Sequence, residues 1–155
     1  PAGWMAGEQE GTDFAFVYLA QPIGDQVGWM DVTGLSEAEL AAFRAGTGPD
    51  ILQAGYSYDQ QGVMTGNLSC PFVDLGPDST LFHECDTLQG DSGSPLFIEG
   101  EDGRYRVIGI ESHTEAMPGE DYDRNVAMYT DSIMAEMHAL AAGQTGVQPA
   151  QQPSK

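Results

Sequence analysis

Apolar and polar positions alternate along several short stretches of this chain, and only two stretches keep a helical period. Runs rich in Phe, Val, Tyr, Ile and Leu, bounded by Gly, Pro, Asn and Asp, predict strands at 13–19, 51–58, 62–69, 80–84, 94–99, 105–110 and 125–129. Gly100-Glu101-Asp102-Gly103 has the composition of a hairpin turn between two of them. Ser36 and Glu39 stand at capping-box spacing and open a short helix to about residue 45, stopped by Gly46-Thr47-Gly48-Pro49. Asp131 caps a second helix over 131–142, ended by Gly143. Its Ile133, Met134, Met137, Leu140 and Ala141 keep helical spacing, so the methionines read as packing rather than as a cofactor site. Residues 1–12 read as loop, and the Gln-, Pro- and Gly-rich 143–155 as a flexible tail. No repeat is visible. Many short strands with turn signals and one terminal helix predict a β-barrel or sandwich.

Composition narrows this. The chain has 155 residues, suited to one domain, and 41% of them are apolar, enough for a core. Against 24 acidic side chains stand five basic ones, for a net charge of −19. Nucleic-acid binding is close to excluded, because its affinity comes mostly from cations meeting phosphates. Anionic membrane surfaces are disfavoured for the same reason. The charge reads as a solvated acidic surface on a secreted or salt-exposed protein. The longest apolar run, 14–20, falls far short of the roughly 20 residues of a membrane helix. Pro1 to Met5 lack the basic and apolar regions of a signal peptide, so the chain is expected to be processed or to be one piece of something longer.

Cys70 and Cys85 suit one disulfide in an oxidising compartment, the alternative being two free buried thiols. No zinc-type cysteine spacing is present, and neither a metal nor a cofactor is expected. The acidic runs Glu99–Asp102 and Glu120–Asp123 read as solvated turns rather than calcium sites. Asn67-Leu68-Ser69 is a glycosylation triplet, relevant only in a eukaryotic secreted protein.

The chemistry is concentrated in Cys85-Asp86-Thr87-Leu88-Gln89-Gly90-Asp91-Ser92-Gly93-Ser94-Pro95-Leu96. A serine nucleophile needs its hydroxyl on a tight turn, with two backbone N–H groups converging where an oxyanion forms. Glycines on both sides of Ser92 permit such a backbone, since side chains there would block the approach. The Gly90 and Ser92 amides are the natural oxyanion donors. Pro95 and the apolar run after it anchor the turn.

With this motif the chain resembles the chymotrypsin-like serine peptidases, closest to their bacterial branch with V8-like and glutamyl-endopeptidase-like members. Thr12-Asp13-Phe14-Ala15-Phe16-Val17-Tyr18-Leu19 looks like the family's aspartate-bearing strand. Pro22-Ile23-Gly24, Gly28-Trp29, Ala54-Gly55-Tyr56, Thr65-Gly66-Asn67-Leu68, Val107-Ile108-Gly109-Ile110 and Asn125-Val126-Ala127 extend the likeness over roughly residues 12–142. The resemblance implies an all-β fold: a chymotrypsin-like double β-barrel, of which residues 13–142 supply the second barrel and part of the first, with a C-terminal helix. Ser92 would be the nucleophile, and Asp13 would orient the catalytic imidazole. In some relatives the residue at the Asp91 position pairs with a buried cation; here that partner is not identified.

The family order is His, Asp, Ser, yet residues 1–12 hold no histidine. His83, His113 and His138 all lie downstream of Asp13, and none is assigned as the base. The expectation is a two-part enzyme, with a companion N-terminal chain supplying the histidine and most of the first barrel. Serine peptidases cleave poorly before proline, so simple self-cleavage before Pro1 is not expected. The alternative of a different class is a non-catalytic binding or scaffold subunit. In the family the residues before the nucleophile line the primary pocket, which here are Asp86 and Thr87, facing Glu111, Ser112 and His113. An acidic pair, Asp86 and Glu111, implies a polypeptide substrate cut after Arg or Lys. A one-residue shift that brings His113 forward implies Glu or Asp instead.

Overall fold

The computed structural model describes residues 10–116 and 123–142. Its strands are β1 (Asp31–Val32), β2 (Ile51–Gly55), β3 (Thr65–Cys70), β4 (Phe72–Leu75), β5 (Thr80–His83), β6 (Pro95–Glu99), β7 (Tyr105–Ala116) and β8 (Asp123–Tyr129). Helices α1 (Gly24–Val27), α2 (Glu37–Arg44) and α3 (Thr130–Ala141) complete it. The molecule is all-β apart from these helices. Seven strands form one antiparallel sheet in the order β3-β2-β6-β7-β8-β5-β4, and β1 adds to β7 in parallel.

The sheet is forced to curl. β3 and β4 occupy opposite ends of that order, yet only Pro71 separates them in the chain. A flat sheet would hold its edges several strand widths apart, at about 4.8 Å each. Rolling the sheet into a half-barrel brings the edges together. The roll is fastened where Cys70, at the end of β3, meets Cys85, just past β5, with a Cα–Cα distance of 4.8 Å. This is the pairing the sequence favoured over two free thiols.

Strand alternation then sorts side chains into two packed groups. Ile51, Leu81, Leu96, Ile98, Ile108, Ala127 and Tyr129 fill the inside of the roll, joined by Phe43 from α2. Val126 and Met128, on the other face of β8, pack with Ile133 of α3 and with Phe14 and Phe16. β8 is thus buried on both faces, and it stands next to β7 in the sheet.

Helix α2 begins as the sequence predicts. The Ser36 hydroxyl accepts from the Glu39 amide, and the Glu39 carboxylate accepts from the Ser36 amide. Arg106 of β7 ties this corner down by donating to Thr33 Oγ1 (2.8 Å) and the Gly34 carbonyl (3.0 Å) and by pairing with Glu39. Thr130 Oγ1 donates to the Thr33 carbonyl at 2.7 Å, which fixes the start of α3.

Two expectations need correction. Residues 13–19 form no strand. Phe14 and Phe16 meet edge to face at 5.6 Å and pack on the sheet, but no neighbouring backbone among the described residues offers this segment a ladder. An apolar pattern without a partner strand leaves the chain extended and unpaired. Conversely, Phe72–Leu75 pairs with β5 as a strand that the sequence did not signal, because four residues after a proline show too little alternation. The remaining predicted strands and both predicted helices recur with shifted ends, and β7 runs well past its expected end to Ala116. The expected loop at 1–12 (apart from its last residues), the acidic run Glu120–Asp123 (apart from Asp123), and the tail 143–155 lie outside the described residues.

Candidate functional site

Ser92 lies on the turn between the Cys85 corner and β6. Gly90 and Gly93 flank it with φ of 107° and 87°, left-handed values that strain any other residue. The turn is pinned from below by Asp91, which is 2% exposed. One oxygen of Asp91 accepts from Ser57 Oγ (2.5 Å) and from the Leu88 amide (3.0 Å). The other oxygen of Asp91 is buried with no hydrogen-bond partner among the described residues. The Gly93 amide donates to the Glu111 carbonyl, and the Glu111 amide donates to the Ser94 carbonyl. These bonds lock the turn to β7. The amides of Gly90 and Ser92, by contrast, donate to no group among the described residues.

Ser92 Oγ donates to the Ser112 carbonyl at 3.2 Å. The Ser112 hydroxyl in turn donates to Asp13 Oδ2 at 2.6 Å. Two residues remote in sequence, Asp13 and Ser92, thus meet around one serine of β7. His113 Nδ1 lies 3.0 Å from the same Ser112 hydroxyl. A register shift between Glu111 and His113, where β7 pairs with β8, places this extra residue at the corner. Sequence reading assigned Ser112 to substrate contact; its bond to Asp13 emerges only from the fold.

Two cavities flank Ser92. The more polar one, about 210 Å³, is lined by Thr87, Leu88, Gln89, Ser92 and residues 111–114. The apolar one, about 480 Å³, opens on the other side of Ser92 and Gly90, against Met30, Tyr56, Met64 and Phe97. Of the expected pocket residues, Thr87, Glu111, Ser112 and His113 therefore share one cavity with Ser92. Asp86 does not. Its side chain is exposed outside that cavity, while its carbonyl accepts from Asn67 Nδ2 at 3.1 Å. Thr87, the other residue expected before the nucleophile, is among the lining residues.

The histidines occupy three different settings. His138 is exposed on α3. His113 lines the polar cavity. His83 is fully buried, with Nε2 2.7 Å from Glu111 Oε2 and Nδ1 accepting from the Cys85 amide at 3.2 Å. Leu81, His83 and Cys85 are buried at every second position, so strand alternation was the signal that His83 points inward. No histidine is hydrogen-bonded to Ser92, and with the described groups alone its hydroxyl is a weak nucleophile. No group of three or more metal-capable side chains gathers among the described residues. No helix among them is long and apolar enough to cross a membrane.

No protein-family model matches the chain, and no curated protein matches it.

Proposed function

We propose that the chain is the nucleophile-bearing part of a serine endopeptidase of chymotrypsin-like type, contributing the second barrel and part of the first. The observation that carries this is the meeting of Asp13 and Ser92 at Ser112: the carboxylate accepts from its hydroxyl and the serine donates to its carbonyl. An imidazole is the group that spans an aspartate and a serine so placed. It would come from a companion segment. Val17, Tyr18, Leu19, Val27 and Trp29 are 60–81% exposed, a run of apolar side chains suited to a protein partner.

In the proposed reaction Ser92 Oγ attacks the scissile carbonyl while the imidazole takes its proton. The amides of Gly90 and Ser92 receive the oxyanion. The proton passes to the leaving amine, and water then releases the acyl group from Ser92 by the reverse steps. Neither amide donates to another group among the described residues. The turn needs no rearrangement of its Asp91 anchor, because Ser57 and the Leu88 amide already hold it. A cysteine pair at disulfide distance suits a secreted or periplasmic setting.

A serine-directed fluorophosphonate, applied to the native assembly, tests the proposal. Covalent labelling at Ser92 is the expected result. Asp13→Asn should slow it by about 10²–10⁴-fold, the usual worth of general-base assistance. An intact assembly that leaves Ser92 unlabelled would instead identify the chain as a non-catalytic scaffold subunit.

A further inference from the structure

The cavity beside Ser92 holds an unusual group at its buried end. Glu111 is 5% exposed, and His83, which faces it, is wholly buried. Their nearest atoms are 2.7 Å apart. Even so, the imidazole N–H and the carboxylate are not in line, so His83 Nε2 and Glu111 Oε2 both remain buried without a hydrogen bond among the described residues. His83 Nδ1 accepts from the Cys85 amide, and its Nε2 faces the carboxylate. Among the described residues, no Arg or Lys lines the cavity.

A carboxylate buried without an Arg or Lys partner is costly, and buried charges are normally paired. The missing partner has a place to come from. At about 210 Å³ the cavity is smaller than the ~300–1,000 Å³ of pockets for drug-sized ligands, and it suits one amino-acid side chain. Ser92 is part of its wall. Thr87, Ser112 and Thr114 add hydroxyl-bearing residues to the wall.

We propose that Glu111, backed by His83, takes a guanidinium or ammonium side chain of the polypeptide in this cavity, directly beside Ser92. The substrate class is thus a basic peptide, read from the β7 wall and not by Asp86. Glu111 touches the ligand; His83 is a positioning residue that sets the carboxylate's place. This inference rests on the endopeptidase reading for its biological sense, but the cavity's preference for a cation does not depend on a working nucleophile.

Calorimetric titration of the full chain with two flat probes of similar shape, benzamidinium and benzoate, separates the possibilities. Benzamidinium should bind and benzoate should not. Glu111→Gln should weaken benzamidinium at least about tenfold, a loss of ~1.4 kcal/mol, while Asp86→Asn should leave it within about twofold. His83→Gln should weaken benzamidinium with its thermal unfolding midpoint checked in parallel. Lost affinity in a chain that melts like the wild type supports positioning, and unchanged affinity removes His83 from the proposal. Where Glu111→Gln fails to fold, the two probes on the wild-type chain still decide. Benzoate binding in preference would overturn the proposal and assign the cavity to acidic side chains through His113. Binding of neither probe would also overturn it. Should Ser92 resist the fluorophosphonate while benzamidinium still binds, the peptidase reading falls and the cation pocket stands.

Discussion

The rolled sheet and the segment 13–30 are both rich in apolar residues, but they fare differently. In the sheet, Ile51, Leu81, Leu96, Ile98 and Ile108 are completely buried. In the segment, Phe14 and Phe16 pack, whereas Val17 is 81%, Tyr18 77% and Val27 79% exposed. Composition does not separate the two. What separates them is a neighbour for the backbone. The central strands have ladder partners on both sides, and their inward side chains close over one another. Residues 13–19 have none among those described, so their pattern has nothing to be folded against. The consequence reaches the site, because Asp13 belongs to the unpaired segment and Ser92 to the braced one. Asp13 is held by the Ser112 hydroxyl at 2.6 Å, with Phe14 and Phe16 as its nearest anchors in the chain.

This contrast has measurable edges. The largest effect is expected in the core. Ile108→Ala should cost about 2–5 kcal/mol in denaturant unfolding, since a fully buried side chain loses both transfer energy and packing. A cost below 1 kcal/mol would mean that the inside of the roll is not close-packed. Next comes the fastener: replacing Cys70 and Cys85 together by serine should cost about 3 kcal/mol, the entropy of a loop closed across 15 residues. The chain should then melt lower without losing its antiparallel strands, as amide hydrogen exchange would show.

A smaller effect belongs to the corner at α2. Burial pushes the Glu39 carboxyl up, but the bonds from Ser36 and the charge of Arg106 outweigh it and hold the group below the usual carboxylate range. At Asp74 the hydrogen bond from Arg44 comes first, with the Leu75 amide adding to it, and the carboxyl is again held low. Both groups therefore stabilise the fold above their ordinary range. That contribution is lost as pH falls through their lowered folded values. Glu39→Gln should flatten the acid limb of the stability profile, by only a fraction of a kcal/mol because the pair is partly solvated. An unchanged acid limb would remove the corner from the ledger of stabilising contacts. Smallest of all, Val17→Ser should move stability by less than ~0.5 kcal/mol in the chain alone. In the assembly with a companion segment the same substitution should weaken association, and equal effects in both settings would contradict a docking role for this face.

Much of the architecture was legible in residue order. Ser36 and Glu39 announced α2, Gly100–Gly103 announced the turn between β6 and β7, and period-two alternation announced most of the strands. The glycines around Ser92 announced a tight turn, and the turn is there, with positive φ at Gly90 and Gly93. These features are local, decided by dihedral preference and by which face of one strand is apolar. Residue order overstated 13–19, where the pattern was present but the partner was not. Of the two residues it offered before the nucleophile, Thr87 lines the cavity and Asp86 does not.

What tertiary structure alone decided are the meetings between distant residues. Asp13 reaches Ser112 across 99 positions, Ser57 reaches Asp91 across 34, and His83 arrives against Glu111. None of these pairs leaves a spacing signal, because each depends on how the sheet curls and on where a single extra residue falls in β7. By itself the sequence determined a serine on a glycine-flanked turn within a short-stranded β protein. Only the rolled sheet decided which carboxylate stands near that serine and which one lies buried against His83 in the wall of its cavity.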